Sequence, residues 1–252
     1  MKIAYVVPGI MDNKEMQRRE NLLKKWTAVN TEVKVFDTTE GPASIESSYE
    51  EYLSIPITAK KMYELENKGY DAAILGCAGD PGLDAMREIT SKMLVVGPGQ
   101  SSMQMAVMLG NRFSVLTVTD STVANSYELA HKAGVADRLA SVKPLNIPVL
   151  ELANDKEKSV KRMIEAGREA IEKDRADTLV LGCMSMGFLN IDNKLQKELN
   201  VPVINPSQIG LKAAEALIGA GLFHSKKAYM VPPKLANGNV DSIEKLYETL
   251  ND

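Results

Sequence analysis

Asp71-Ala72-Ala73-Ile74-Leu75-Gly76-Cys77 recurs as Asp177-Thr178-Leu179-Val180-Leu181-Gly182-Cys183. Four of the seven positions are identical, and the others are apolar or small apart from Thr178. Each copy follows a charged, helix-like stretch (55–69 and 155–173) and opens into a loop of small residues. Short runs rich in Val, Ile and Leu between turn residues read as buried strands. Working outward, further runs of this kind lie at Ile3–Val7, Val33–Phe36, Leu94–Gly97, Phe113–Val118 and Val201–Ile204. Helical spacing predicts helices near 14–29, 49–68, 83–91, 100–110, 121–133, 155–173, 190–199, 207–220 and 240–250. Alternating strands and helices imply parallel sheet covered on both faces.

The repeat predicts two similar α/β units. Gly9, at the end of one first strand, lies 68 residues before Cys77, and Thr119 lies 64 before Cys183. The expected division puts 1–97 plus 205–252 in a first domain and 98–204 in a second. The tail returns to the first unit, which otherwise lacks helices. The cleft between such units is the natural ligand site.

Composition narrows the function. The 252 residues are 44% hydrophobic and 25% charged, with 30 Lys+Arg against 33 Asp+Glu, an ordinary globular mix. Without a basic cluster, nucleic acid is not an expected partner. Pro8 breaks the first apolar run too soon for a signal peptide, and the uncharged stretch 93–111 holds three Gly and a Pro, so no membrane span is expected. A cytoplasmic protein is expected, with its two cysteines kept as thiols. Two histidines and no His-Glu-x-x-His segment leave no expected metal site.

Ligands of parallel sheets bind beyond the carboxyl ends of the strands. Cys77 and Cys183, the only cysteines, both stand there. A lone cysteine is most often a small core hydrophobe, but matched placement in both copies favours function. Free backbone N–H groups in the following loops favour a thiolate or an oxyanion. Two thiols facing one cleft suit inversion of a carbon acid: one removes the proton alpha to a carbonyl and the other reprotonates the opposite face. A carbonyl that carries the transient charge makes a metal or organic cofactor unnecessary.

Leu75-Gly76-Cys77-Ala78-Gly79-Asp80-Pro81-Gly82-Leu83 resembles the first cysteine motif of the aspartate/glutamate/hydantoin racemase superfamily, in its hydantoin racemase branch. Leu181-Gly182-Cys183 resembles the second motif, and Gly41-Pro42-Ala43-Ser44-Ile45-Glu46 is similar to a further signature of that branch. Phe113-Ser114-Val115-Leu116-Thr117 looks like the strand opening its second domain. The resemblance implies two pseudo-symmetric α/β domains with the active site between them, and cofactor-independent racemisation or epimerisation of a hydantoin-like, amino-acid or other carboxylate substrate. It makes Cys77 and Cys183 the acid/base pair and sets Ser44 and Ile45 near the substrate. Strand-end position adds Pro8, Gly9, Ala78, Gly79, Thr117, Thr119, Met184 and Ser185 as substrate contacts. Three departures touch the pocket: Val7-Pro8-Gly9-Ile10-Met11 where the family has Asn-Pro-Asn-like residues, Ala78 after the first cysteine, and Cys183-Met184-Ser185-Met186 in place of Cys-Ala-Gly-Met.

Other candidates have plainer readings. Gly97-Pro98-Gly99-Gln100 lacks the Lys-Ser/Thr of a phosphate loop and reads as an interdomain turn opening a helix. Asp80 and Asp84 read as caps or first-turn charges, and Glu46 as a structural acid. Trp26 reads as core, His131 as a helix-end residue, and His224 as reaching the cleft only if the tail folds there. Met103, Met105 and Met108 read as core or as the contact of a homo-oligomer. The rival functions are a maleate isomerase-like or arylmalonate decarboxylase-like enzyme of the same fold, and a small-molecule binding protein without turnover.

Overall fold

A computed structural model describes residues 1–243 and 245–248. The first half runs β1 (Lys2–Val6), α1 (Asn13–Trp26), β2 (Glu32–Phe36), α2 (Ser48–Asn67), β3 (Ala72–Leu75), α3 (Leu83–Ile89) and β4 (Leu94–Val96). The second runs α4 (Pro98–Leu109), β5 (Phe113–Thr117), α5 (Val123–Lys132), β6 (Leu139–Pro144), α6 (Lys156–Asp174), β7 (Thr178–Leu181), α7 (Met184–Phe188), α8 (Asp192–Leu199) and β8 (Val203–Ile204). Helix α9 (Pro206–Gly219) follows.

The strands form two four-stranded parallel sheets, ordered β2-β1-β3-β4 and β6-β5-β7-β8. The orders superimpose, so each copy of the repeat is the same inner strand of its sheet. Its identical residues do identical work. Asp71 accepts the Lys2 amide at 2.7 Å and Asp177 the Arg112 amide at 3.1 Å, each fastening the start of the neighbouring strand. Leu75 and Leu181 are fully buried, each contributing about 1.5–3 kcal/mol of apolar burial. Gly76 donates to the Val6 carbonyl and Gly182 to the Leu116 carbonyl, both at 2.7 Å. A Cβ at either glycine would come within 2.5 and 2.7 Å of the adjacent strand, respectively. The chain then leaves both sheets at the cysteine.

Helices cover both faces of each sheet. One face of the first buries Ile3, Tyr5 and Ile74 against Leu211 and Ala214 of α9 and against Met184 and Phe188 of α7. Helix α7, five residues placed directly after Cys183, is a correction: a loop is expected there, and a turn rich in small residues has no period to betray it. The second sheet packs Met103 and Ala106 of α4 on one face and α6 with α8 on the other. Strand β6 is also absent from the expected elements. It is an edge strand with Ser141 and Lys143 among its half-buried residues, so it lacks the continuous apolar signal of the inner strands. Of the expected helix at 240–250, Lys245–Glu248 is helical, 240–243 are not, and 244 and 249–250 lie outside the described residues. No described helix is long and apolar enough to cross a membrane.

Candidate active site

The carboxyl ends of the two sheets open on one cavity of about 730 Å³, within the usual size for a small-molecule site. Cys77 lines it from the end of β3 and Cys183 from the end of β7. Both thiols are free and half-buried. Pro8, Gly9, Ser44, Ile45, Ala78, Gly79, Thr117, Met184 and Ser185 share the wall. Thr119 does not. Strand β5 ends at Thr117, Val118 takes the lining position, and the Thr119 hydroxyl is spent on Ser121 at 2.9 Å.

The rim is clasped from both halves. Glu46 Oε1 accepts the Val149 amide at 2.9 Å, Glu46 Oε2 accepts the Ser44 hydroxyl at 2.8 Å, and the Glu46 carbonyl accepts the Ser121 hydroxyl at 2.5 Å. Glu46 is therefore a latch between the 41–47 loop and the second half of the chain. Asn125 of α5 donates to Glu51 of α2 at 2.5 Å, a second bond across the cleft.

Asp80 is a cap, but of α4 rather than of its own helix. Its backbone amide donates to the Cys77 carbonyl at 3.2 Å, closing the turn behind the thiol. Its carboxylate accepts the amides of Gly99 at 3.0 Å and Gln100 at 2.6 Å. Burial pushes Asp80 up to about 7, against the pull of those amides and of Arg87.

Among the lining residues that escape the sequence reading are Arg18, Arg19, Glu51 and Asn125. Arg19 is 6% exposed. Its Nε donates to Glu15 Oε1 at 2.7 Å and its Nη2 to Ser185 Oγ at 3.0 Å, while its guanidinium sits 4.7 Å from the Phe188 ring centre. A signal existed. Met16, Arg19, Leu23 and Trp26 fall at helical spacing, so an arginine stands in the apolar stripe of α1. Glu51 likewise heads the buried stripe Ser54, Thr58, Met62 and Leu65 of α2.

The thiols differ in their surroundings. Burial pushes Cys77 up to about 12; the Gly79 amide opposes this, while Cys183, Asp80 and Glu51 add to it. Burial also raises Cys183, but the Met186 and Ser185 amides, Arg19 and the Ser185 hydroxyl all oppose the rise. A negative charge on Cys183 makes ionisation of Cys77 harder still. Among the described residues no three His, Cys, Asp or Glu side chains converge to hold a metal. His224 does not line the cavity; it accepts the Val95 amide at 2.8 Å on the edge strand of the first sheet.

Residues 16–214 match the family described as Asp/Glu/Hydantoin racemase. The chain belongs to that family. It is 38% identical over 216 residues to a hydantoin racemase of Pseudomonas sp. (strain NS671), covering 85% of this chain and 86% of that one. An allantoin racemase from Klebsiella pneumoniae superimposes with a TM-score of 0.86 at 27% identity, covering 93% and 94% of the two chains. A maleate isomerase from Pseudomonas putida S16 shares the fold at 15% identity, with a TM-score of 0.67 and coverage of 88% and 93%. The protein is an isomerase of the racemase type, which sets aside a binding protein without turnover.

Proposed function

We propose that the chain racemises a hydantoin-type cyclic ureide by passing a proton between Cys77 and Cys183, with no cofactor. The observation that carries the reading is the exit of both thiols from equivalent strand ends into one cavity.

In one direction the Cys183 thiolate takes the proton from the ring carbon alpha to the carbonyl. The C–H electron pair moves into the carbonyl, giving an enolate. Cys77 then gives its proton to the opposite face, so turnover ends with Cys183 neutral and Cys77 anionic. The reverse direction starts from that state. One thiolate and one thiol are needed at a time, which suits a coupled pair that resists double ionisation. Enclosure strengthens every charge interaction made as the enolate forms.

The wall favours a neutral ring over an amino acid. Glu15 already holds both Arg18 and Arg19, by contacts of 2.6–2.7 Å, so a substrate carboxylate would have to compete with it for either guanidinium. Ile10, Met11, Ile45 and Leu150 provide apolar lining for a ring substituent. A ring alpha-carbon flanked by a neutral carbonyl is also more acidic than that of a carboxylate.

The test follows single enantiomers of a 5-substituted hydantoin in D2O by proton NMR and polarimetry. Loss of the ring C–H signal together with loss of rotation is expected. Continued exchange and racemisation by the Cys77→Ser, Cys183→Ser double variant overturns the mechanism, and turnover of maleate without any hydantoin exchange overturns the substrate.

A further inference from the structure

Among the described residues, three acids line the cavity: Asp12, Glu15 and Glu51. The first two have evident work. Asp12 caps α1 by accepting the Glu15 amide at 3.0 Å, and Glu15 holds both arginines of that helix. Glu51 is different. It stands in the first turn of α2, half-buried, in the wall it shares with Cys77. Its Oε2 accepts one hydrogen bond, from the Asn125 amide. Its Oε1 takes no hydrogen bond from the described residues, and it is not sealed in the interior as an orphaned atom. That oxygen is therefore open at the surface of the wall.

The bond to Asn125 holds the carboxylate in place. An ionised carboxylate can only accept, so Asn125 turns its Nδ2 towards Glu51 and its Oδ1 away. Asn125 belongs to α5, in the other half of the chain, and so grips Glu51 from across the cleft. Hydroxyls lining the same cavity leave the second oxygen unfilled. Ser47 donates to Glu50 at 2.9 Å, Thr122 to the Thr119 carbonyl at 2.8 Å and Ser126 to the Thr122 carbonyl at 3.2 Å. Burial raises the Glu51 carboxyl and Glu128 adds to the rise, against the pull of Asn125 and Lys132. A carboxylate short of donors behaves in this way.

A half-buried carboxylate with an open acceptor position favours a ligand that brings an N–H and disfavours one that brings a second negative charge. A hydantoin-type ring carries N–H groups beside its carbonyls and no charge. We propose that Glu51 is a substrate-binding residue whose Oε1 accepts one ring N–H of the ureide while Asn125 holds the carboxylate in place. The inference rests on the ureide reading above and deepens it by naming the side chain that recognises the ring itself, apart from its substituent. The proton stays on the ring nitrogen throughout. The bond orients the ring in the cavity and takes no part in the exchange at carbon.

The test changes substrate and protein together. Initial-rate kinetics are measured on a 5-substituted hydantoin and on its two mono-N-methyl derivatives, one for each ring nitrogen. In the unaltered chain one methylation is expected to raise KM by about 10–100-fold, the loss of a hydrogen bond to a charged group, and the other by much less. Glu51→Met has a side chain of similar length and no such acceptor. It should raise KM for the parent hydantoin by a similar factor with kcat changed much less, and the penalty for the sensitive methylation should shrink by about tenfold. Glu51→Gln, which keeps a neutral acceptor, should fall between. A merely structural role would weaken parent and methylated substrates by the same factor, and that parallel loss overturns the proposal. Indifference of the unaltered chain to both methylations overturns it too, and needs no variant to fold. Inactivity on every hydantoin sinks the ureide substrate and this role with it, whereas turnover with parallel losses sinks the role of Glu51 alone.

Discussion

The carboxylate of Asp80 accepts the amide of Gly99 at 3.0 Å, so the turn that carries Cys77 is bolted to the first turn of α4. The bolt has a pH signature. Burial raises Asp80 to about 7 in the folded chain, above the ordinary carboxylate value of about 3.9. An acid raised on folding leaves stability intact below its unfolded value and removes it as pH climbs to the folded one. The unaltered chain should therefore lose stability relative to Asp80→Asn between about pH 4 and pH 7, by a few kcal/mol at most, and level off above. Urea midpoints of the two proteins across that range check it. A constant difference contradicts the buried, ionisable cap.

Single thiol variants should separate the two half-reactions. Losing a general acid or base costs about 10²–10⁴-fold, so Cys77→Ser and Cys183→Ser should each abolish racemisation to that extent. The remaining thiol can still remove a proton on its own face and return solvent deuterium there. Each variant is expected to exchange the ring proton of one enantiomer with retention, and the two variants should exchange opposite enantiomers. Proton NMR in D2O on each pure enantiomer reads this directly. Exchange of the same enantiomer by both would mean the thiols do not flank the stereocentre.

Much of this arrangement was legible because the repeated residues serve one physical purpose twice. Asp71 and Asp177 fasten strand starts, Gly76 and Gly182 allow close approach, and inner strands buried on both faces announce themselves as apolar runs. What escaped lacks such a signature. Strand β6 is paired on one side only and mixes Ser and Lys into its run. Helix α7 is too short to show a period. Arg19 and Glu51 sit in apolar stripes, but a charged residue on a helix ordinarily faces water; the partners that bury them, Ser185 and Asn125, lie 166 and 74 residues away. Thr119 was expected by counting to a strand end, and the strand stops two residues sooner.

Glu46 should act on substrate affinity more than on chemistry. Its carboxylate holds the Val149 amide and the Ser44 hydroxyl, tying together two loops that line the cavity from opposite halves. Glu46→Ala removes hydrogen bonds to a charged group, of which about 1–2 kcal/mol should appear as looser closure. That corresponds to a rise in KM of about 5–30-fold with kcat changed much less. Glu46→Gln keeps an acceptor for Val149 and should recover part of the loss. Initial-rate kinetics on both variants distinguish this from a role for Glu46 as a base, in which kcat would collapse and Gln would rescue nothing.

The matched glycines before the thiols should not tolerate alanine equally. A Cβ on Gly76 would stand 2.5 Å from the Val6 carbonyl oxygen and 3.0 Å from two further backbone atoms of β1 and the residue after it. Backbone in the middle of a sheet has little room to yield. A Cβ on Gly182 first meets the Val115 side chain at 2.7 Å, with the Leu116 carbonyl oxygen at 3.0 Å. A side chain can turn in part. Overpacking of this kind costs about 1–3 kcal/mol, so Gly182→Ala should fall near the low end and Gly76→Ala at or beyond the high end. Urea unfolding of both variants gives the comparison, and equal losses would mean that the first strand end is freer to move than its contacts indicate.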